Sequence, residues 1–175
     1  RLMAGGKEIA AIDDRHLDVV IVAAADAISR TYYSGQYVEG VASAPSCWSA
    51  DGTVPNEKAA DPQASSCAAC PQNQKGSGQG DSRACRFSQR IALLLASDIE
   101  GDVMEMTVPA TSLFGKEQGE DRPLQSYARW LDASNIDPEM VVTRMRFDTK
   151  ASGPKLFFRA ARWLSEDRKS TRLNS

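Results

Sequence analysis

The sequence predicts a mainly β domain with one helix and a small insertion that carries the cysteines. Three observations support this prediction. Several short segments alternate apolar and polar residues, one segment alone has helical spacing, and all four cysteines lie in or beside a stretch rich in Ser, Pro, Gly and Ala. The chain of 175 residues is 42% hydrophobic and 25% charged, as is typical of a folded domain. We expect one domain over residues 15–165, with an insertion over residues 43–86.

The first predicted strand covers residues 17–33, which are rich in Val, Ile and Tyr and lack Gly and Pro. Its alanines leave a helix as the alternative. After the insertion, residues 90–97 form a short apolar run, and residues 103–108 alternate before a proline. These two segments predict a hairpin through an acidic turn at residues 98–102.

The best helix begins after Pro123, where apolar residues recur at spacings of three and four from Leu124 to Leu131. Residues 141–147 and 156–161 alternate on either side of a turn and predict two final strands. The order strand, insertion, strand, strand, helix, strand, strand is the connectivity of the OB-fold, a five-stranded barrel that binds oligonucleotides. We predict an OB-fold-like barrel, with other five-stranded barrels or a split α+β sheet as alternatives.

Charge and composition exclude several classes of function. No apolar run approaches the roughly 20 residues that a membrane span needs, and no signal peptide opens the sequence, so we expect a cytoplasmic protein. The single histidine, His16, lies in a charged stretch, which argues against a histidine-based hydrolase. The net charge is −2, but residues 75–90 and 139–164 are basic, whereas residues 98–121 are acidic and would repel phosphate.

The cysteines have a spacing that suits one metal ion. Cys67 and Cys70 flank two alanines and place two thiolates within reach of one ion, and Cys47 and Cys85 can complete the tetrahedral four-sulfur shell of zinc. A full shell leaves no position for water, so the zinc would be structural in a zinc-ribbon-like insertion. The alternatives are two disulfides, an iron–sulfur cluster, or a thioredoxin-like redox pair that lacks its usual strand-to-helix context.

The cysteine segments resemble those of a group of small bacteriophage and prophage proteins. The resemblance is carried by residues 45–52, 67–73, 76–77, 84–86 and 108–112. That group is similar to phage single-stranded DNA-binding proteins, in which an OB-fold carries a zinc-binding insertion. The resemblance implies zinc at the four cysteines and a role in phage replication or recombination inside a bacterial host. Residues 168–175 resemble a translated sequencing adapter, so we expect residues 166–175 to be a non-native tail.

Single-stranded DNA binding requires cations along the phosphates and flat side chains on which bases stack. The candidate DNA-binding residues lie on the last two predicted strands, beside Cys85, and where the first strand ends. They are Arg144, Arg146, Phe157, Arg159, Arg162, Arg83, Arg86, Arg90, Tyr33 and Tyr37. Alternation puts Arg144 with Arg146, and Phe157 with Arg159. Burial of Phe157 under the insertion is the alternative. Phe147 and Phe158 are expected to pack in the core. Trp48 is expected to cover the metal or to stack on a base.

Three functional hypotheses follow. The first is a sequence-independent single-stranded DNA-binding protein with a structural zinc. The second is a zinc-stabilised adaptor that binds a phage recombinase, helicase or polymerase, which the negative net charge favours. The third is a metal-dependent nuclease with a carboxylate cluster at Asp98, Glu100, Asp102 and Glu105. Because these carboxylates straddle a predicted turn, where acidic residues usually face water, we expect no enzyme.

Overall fold

The computed structural model describes residues 2–4, 7–10 and 16–164 of the chain. These residues form strands connected by loops and a few helices. The strands are β1 (Leu2–Ala4), β2 (Lys7–Ala10), β3 (His16–Ala24), β4 (Ser29–Tyr32), β5 (Cys47–Ser49), β6 (Arg86–Leu95), β7 (Met104–Pro109), β8 (Val141–Phe147) and β9 (Leu156–Trp163). The helices are α1 (Ala110–Leu113), α2 (Leu124–Ala133) and two single 3-10 turns at Pro71–Asn73 and Pro138–Met140. The predicted tail at residues 166–175 lies outside the described residues.

Seven of these strands pair into one antiparallel sheet, in the order β5-β4-β6-β3-β8-β9 with β7 also paired to β6. β1 and β2 form a separate antiparallel pair. The predicted mainly β class is therefore confirmed. The predicted closed five-stranded barrel is not observed, because β5 and β9 end the strand order without pairing to each other among the described residues. No helix in the described part of the chain is long and apolar enough to span a membrane.

The predicted elements have close counterparts in the sheet. The first predicted strand is interrupted at residues 25–28 and forms β3 and β4, and the buried Gln89 amide donates a hydrogen bond of 2.8 Å to the Ala25 carbonyl at this interruption. The alternative helix there is wrong. The predicted hairpin is present as β6 and β7. α2, β8 and β9 lie where the sequence predicts them, and Pro123 immediately precedes α2.

The chain divides into two compact units, of which one is Ala25–Gln89, here called the cysteine unit. The described residues before and after it form the other, the flanking unit. The cysteine unit is wider than the predicted insertion at 43–86, because it includes β4 and the first residues of β6.

The flanking unit has a conventional apolar core. Residues from β3, β8 and the segments after β6 and β9 pack together in one buried cluster, which consists of Val20, Ala96, Ile99, Val142 and Leu164. Tyr127 of α2 is 1% exposed, stacks on Phe158 at 6.3 Å between ring centroids, and hydrogen-bonds to the Thr143 hydroxyl at 2.8 Å. Burial of these apolar side chains stabilises this unit.

Candidate metal centre and charged surface

The small sheet of the cysteine unit presents the first predicted metal ligand. β4 pairs with β5 and with β6, so that Tyr32 lies opposite Cys47, and Arg30 lies between Ser49 and Phe87. Because side chains alternate along a strand, Cys47 and Arg30 share one face of this sheet. Trp48 belongs by alternation to the other face.

Backbone hydrogen bonds fix the other three cysteines. The Cys67 amide donates to the Thr53 carbonyl at 2.9 Å, and the Cys85 amide donates to the Gln72 carbonyl at 2.8 Å. The buried Asn73 side chain donates to the Cys67 carbonyl at 2.8 Å, and the Asn73 amide donates to the Cys70 carbonyl at 3.0 Å. Asn73 thus holds the turn between the paired cysteines, a role that its sequence position alone does not reveal.

All four cysteines line one cavity of about 20 Å³ within the cysteine unit. A cavity of this size holds roughly one water-sized occupant. All four are free thiols; Cys67, Cys70 and Cys85 are buried, and Cys47 is half-buried. The structure therefore brings the four predicted ligands together, without either disulfide of the alternative hypothesis.

The thiols do not already form a closed ligand set. Among the residues that the structure describes, no group of three or more His, Cys, Asp or Glu side chains is arranged to hold a metal ion. Metal binding at the cavity would require the four sulfur atoms to close around the ion. The four carboxylates of the nuclease hypothesis likewise form no group that could hold a metal ion. They are Asp98, Glu100, Asp102 and Glu105, and all four are exposed.

The cavity disfavours several negative charges. Burial raises the pKa of the Cys85 thiol, the Arg30 guanidinium opposes this shift, and the other three cysteines add to it. Like charges at close range disfavour each other's ionised forms. A cation in the cavity would offset the charge of the Cys85 thiolate.

Three of the predicted DNA-binding arginines are paired with carboxylates inside the flanking unit. Arg144 donates two hydrogen bonds to Asp18, and Arg159 donates one of 2.7 Å to Asp121. Arg146 lies 3.4 Å from the other oxygen of Asp121, which is 9% exposed. The carboxylates neutralise most of the charge that these arginines would offer to phosphate.

Two aromatic residues on the last two strands have the opposite exposure from that predicted. Phe157 is 2% exposed, with the Lys155 ammonium 4.9 Å from its ring centroid, so the prediction of an open stacking ring is wrong. Phe147 is 55% exposed because it lies at the end of β8, and the prediction that it packs is also wrong. Phe158 is fully buried as predicted.

The other predicted DNA-binding residues are exposed. They are Arg83, Arg86, Arg90, Arg162, Tyr33 and Tyr37. Arg83 also has a structural role, because its guanidinium donates to the backbone carbonyl of Asn73. The register places Trp48, Thr31 and Arg86 side by side across β5, β4 and β6. Trp48 is half-buried and also borders the cavity.

Sequence reasoning missed Arg30, Asp18 and Asp121. Arg30 lies inside a predicted strand, where nothing in the alternation marks it as a cavity residue. Asp121 belongs to a segment predicted only to repel phosphate. No protein-family model matches this sequence, and no curated protein or solved structure is significantly similar to it.

Proposed function

We propose that this chain is a non-catalytic single-stranded DNA-binding protein whose cysteine unit is stabilised by one zinc ion at Cys47, Cys67, Cys70 and Cys85. The observation that carries the proposal is the composition of the unit's interior. Its buried hydrophobic residues are Ala59 and three of the cysteines. A segment of this length cannot offset its loss of conformational entropy with so little apolar burial.

Zinc binding would supply the folding free energy that the small apolar core does not provide. Bound to four thiolates it crosslinks the loops that carry them, and its binding free energy becomes folding free energy. The donor set supports the proposal: four free thiols line one cavity whose volume suits a single small occupant, and the sulfur atoms would have to close around the ion. The protein's own part is to hold the cysteine backbones, through the hydrogen bonds to Thr53, Gln72 and Asn73.

The DNA-binding surface that we propose is the other face of the same small sheet. Adjacent strands lie about 4.8 Å apart, so Trp48 and Arg86, with Thr31 between them, are separated by roughly 10 Å. A base that stacks on Trp48 would have its phosphate within reach of Arg86, which is exposed. Tyr33 and Tyr37, 47% and 86% exposed, follow β4 and offer further rings.

One observation favours the adaptor as a second candidate. The arginines of β8 and β9 are engaged by Asp18 and Asp121, so the flanking unit offers less free positive charge than its sequence suggests. A protein whose basic residues are satisfied internally suits a protein partner, such as a phage recombinase, helicase or polymerase, better than it suits a polyanion.

Titration of a labelled mixed-sequence oligonucleotide with the zinc-loaded chain, at 50 mM and at higher salt, tests the proposal. We expect salt-sensitive binding, and an affinity at least about 5-fold weaker for Trp48→Ala, since one base stack contributes about 1–3 kcal/mol. Trp163→Ala is the matched control, because Trp163 is 63% exposed on β9. No binding at 50 mM salt would reject the DNA-binding proposal and leave the adaptor. Equal loss in both variants would reject the proposed surface.

A further inference from the structure

Arg30 presents an unused hydrogen-bond donor at the cysteine cavity. Its side chain lines the cavity together with the four cysteines, and its Nη1 atom is buried without a hydrogen-bond partner. An unpaired buried donor on a charged group costs several kcal/mol unless an acceptor meets it. The donor therefore indicates an acceptor that the protein's own polar groups do not supply.

The structure holds the Arg30 guanidinium in place. Its Cζ atom lies 4.4 Å from the centroid of the Phe87 ring, directly across the strand pair. Gly52 leaves room beside it: a Cβ atom there would lie 3.2 Å from Arg30 Nε and 2.6 Å from the Ile28 carbonyl oxygen. Gly52 also has a φ of +74°, which favours glycine. A stacked, space-restricted guanidinium loses little entropy when an acceptor arrives.

The net charge of the proposed zinc centre indicates that the acceptor for Arg30 is a thiolate. One divalent zinc ion and four thiolates leave two negative charges, in a cavity lined by buried and half-buried residues. Among the described residues that line this cavity, Arg30 alone carries a charged side chain. Hydrogen bonds to metal-bound ligands orient them and tune their basicity.

We propose that Arg30 is a positioning residue of the metal centre, donating a hydrogen bond through Nη1 to one of the zinc-bound thiolates and offsetting one of the two negative charges. This inference rests on the proposed zinc site. Arg30 lies on β4 and precedes all four cysteines in the sequence. The spacing of the cysteines therefore does not predict that it belongs to the centre.

Competition of the full chain with a chromophoric zinc chelator tests the inference. We expect Arg30→Gln to weaken zinc binding by about 10- to 100-fold, the range found for supporting residues at metal sites, and Arg30→Lys to weaken it less because the charge remains. The matched control is Lys58→Gln, which removes one exposed charge from elsewhere in the cysteine unit. We expect it to change the affinity by less than about threefold.

A spectroscopic readout separates positioning from loss of fold. With cobalt in place of zinc, the sulfur-to-cobalt charge-transfer band should move to lower energy in Arg30→Gln and stay fixed in Lys58→Gln, because a hydrogen bond lowers the energy of the sulfur lone pair. If Arg30→Gln does not fold, zinc affinity and band position are measured on Arg30→Lys instead. Zinc affinity and band position equal to those of Lys58→Gln, with the wild-type chain binding zinc, would overturn this inference alone. Failure of the wild-type chain to bind zinc would overturn the proposed centre as well.

Discussion

Arg144 donates two hydrogen bonds to the carboxylate of Asp18, from Nε to Oδ1 at 2.8 Å and from Nη2 to Oδ2 at 3.0 Å. The two residues lie directly opposite each other on β8 and β3. This bidentate geometry is the strongest that an arginine and a carboxylate can form. Arg144 therefore contributes first to the pairing of two central strands, and the DNA-binding surface proposed above does not include it.

We expect Arg144→Gln to destabilise the protein without weakening its proposed DNA binding. The cost should be about 1 kcal/mol, because both side chains are partly exposed and solvent screens the pair. Urea denaturation measures it, with Arg129→Gln as the control, since Arg129 is exposed on α2. Equal stability of the two variants would contradict a structural role for the Arg144 pair. A large loss of oligonucleotide affinity in Arg144→Gln alone would move the DNA surface to β8.

The same pair predicts a dependence of stability on pH. The hydrogen bond from Arg144 holds the pKa of Asp18 below its ordinary value of 3.8, although burial opposes the shift. Because the pKa is lower in the folded state, the stabilisation is present above pH 3.8 and is lost as the pH falls through the folded-state pKa. NMR titration of the Asp18 carboxyl should give a higher pKa in Arg144→Gln than in the wild-type chain. Identical titration curves would contradict this account of the pair.

The hydrogen bond between Tyr127 and Thr143 should contribute measurably to the flanking unit. Both residues are almost completely buried, and their hydroxyl oxygens lie 2.8 Å apart. We expect Tyr127→Phe to lower the free energy of unfolding by about 1–2 kcal/mol, since it leaves a buried hydroxyl with one partner fewer. A double-mutant cycle with Thr143→Val isolates the pair. A coupling energy of zero would show that the two hydroxyls do not act together.

Replacing one ligand should loosen the cysteine unit and spare the flanking unit. We expect Cys67→Ser to lose zinc and to speed amide exchange across Ala25–Gln89, while Val20 and Val142 in the flanking core keep their protection. Hydrogen exchange with and without zinc measures this, and Ser65→Ala, at an exposed position nearby, is the control. Unchanged exchange in Cys67→Ser would mean that the thiol does not stabilise the unit.

The sequence predicts the local elements of this fold well and their assembly poorly. α2 and the hairpin of β8 and β9 are recovered because apolar spacing and alternation are local signals. The open sheet is not predicted, because the pairing of β4 with both β5 and β6 depends on contacts between residues far apart in sequence. β5 is only Cys47–Ser49, and it lies in a segment whose composition predicts loops.

In the candidate site, too, local patterns were predicted and contacts between distant residues were not. Spacing of the cysteines predicts that they converge, and they do line one cavity. Alternation groups Arg144 with Arg146 and Phe157 with Arg159, in agreement with the register. Alternation does not show which residues pack over a face of the sheet. It therefore did not predict the burial of Phe157 or the pairing of the arginines with Asp18 and Asp121.

Metal content measured together with thiol reactivity shows whether the four cysteines bind one zinc ion. Elemental analysis of the purified chain, combined with titration of its cysteines by a thiol reagent before and after addition of a chelator, gives both quantities on one sample. The account predicts one zinc per chain and four cysteines that react only after the zinc is removed. A metal-free chain that stays folded with its four thiols freely reactive, or zinc retained when all four cysteines are replaced by serine, would contradict it.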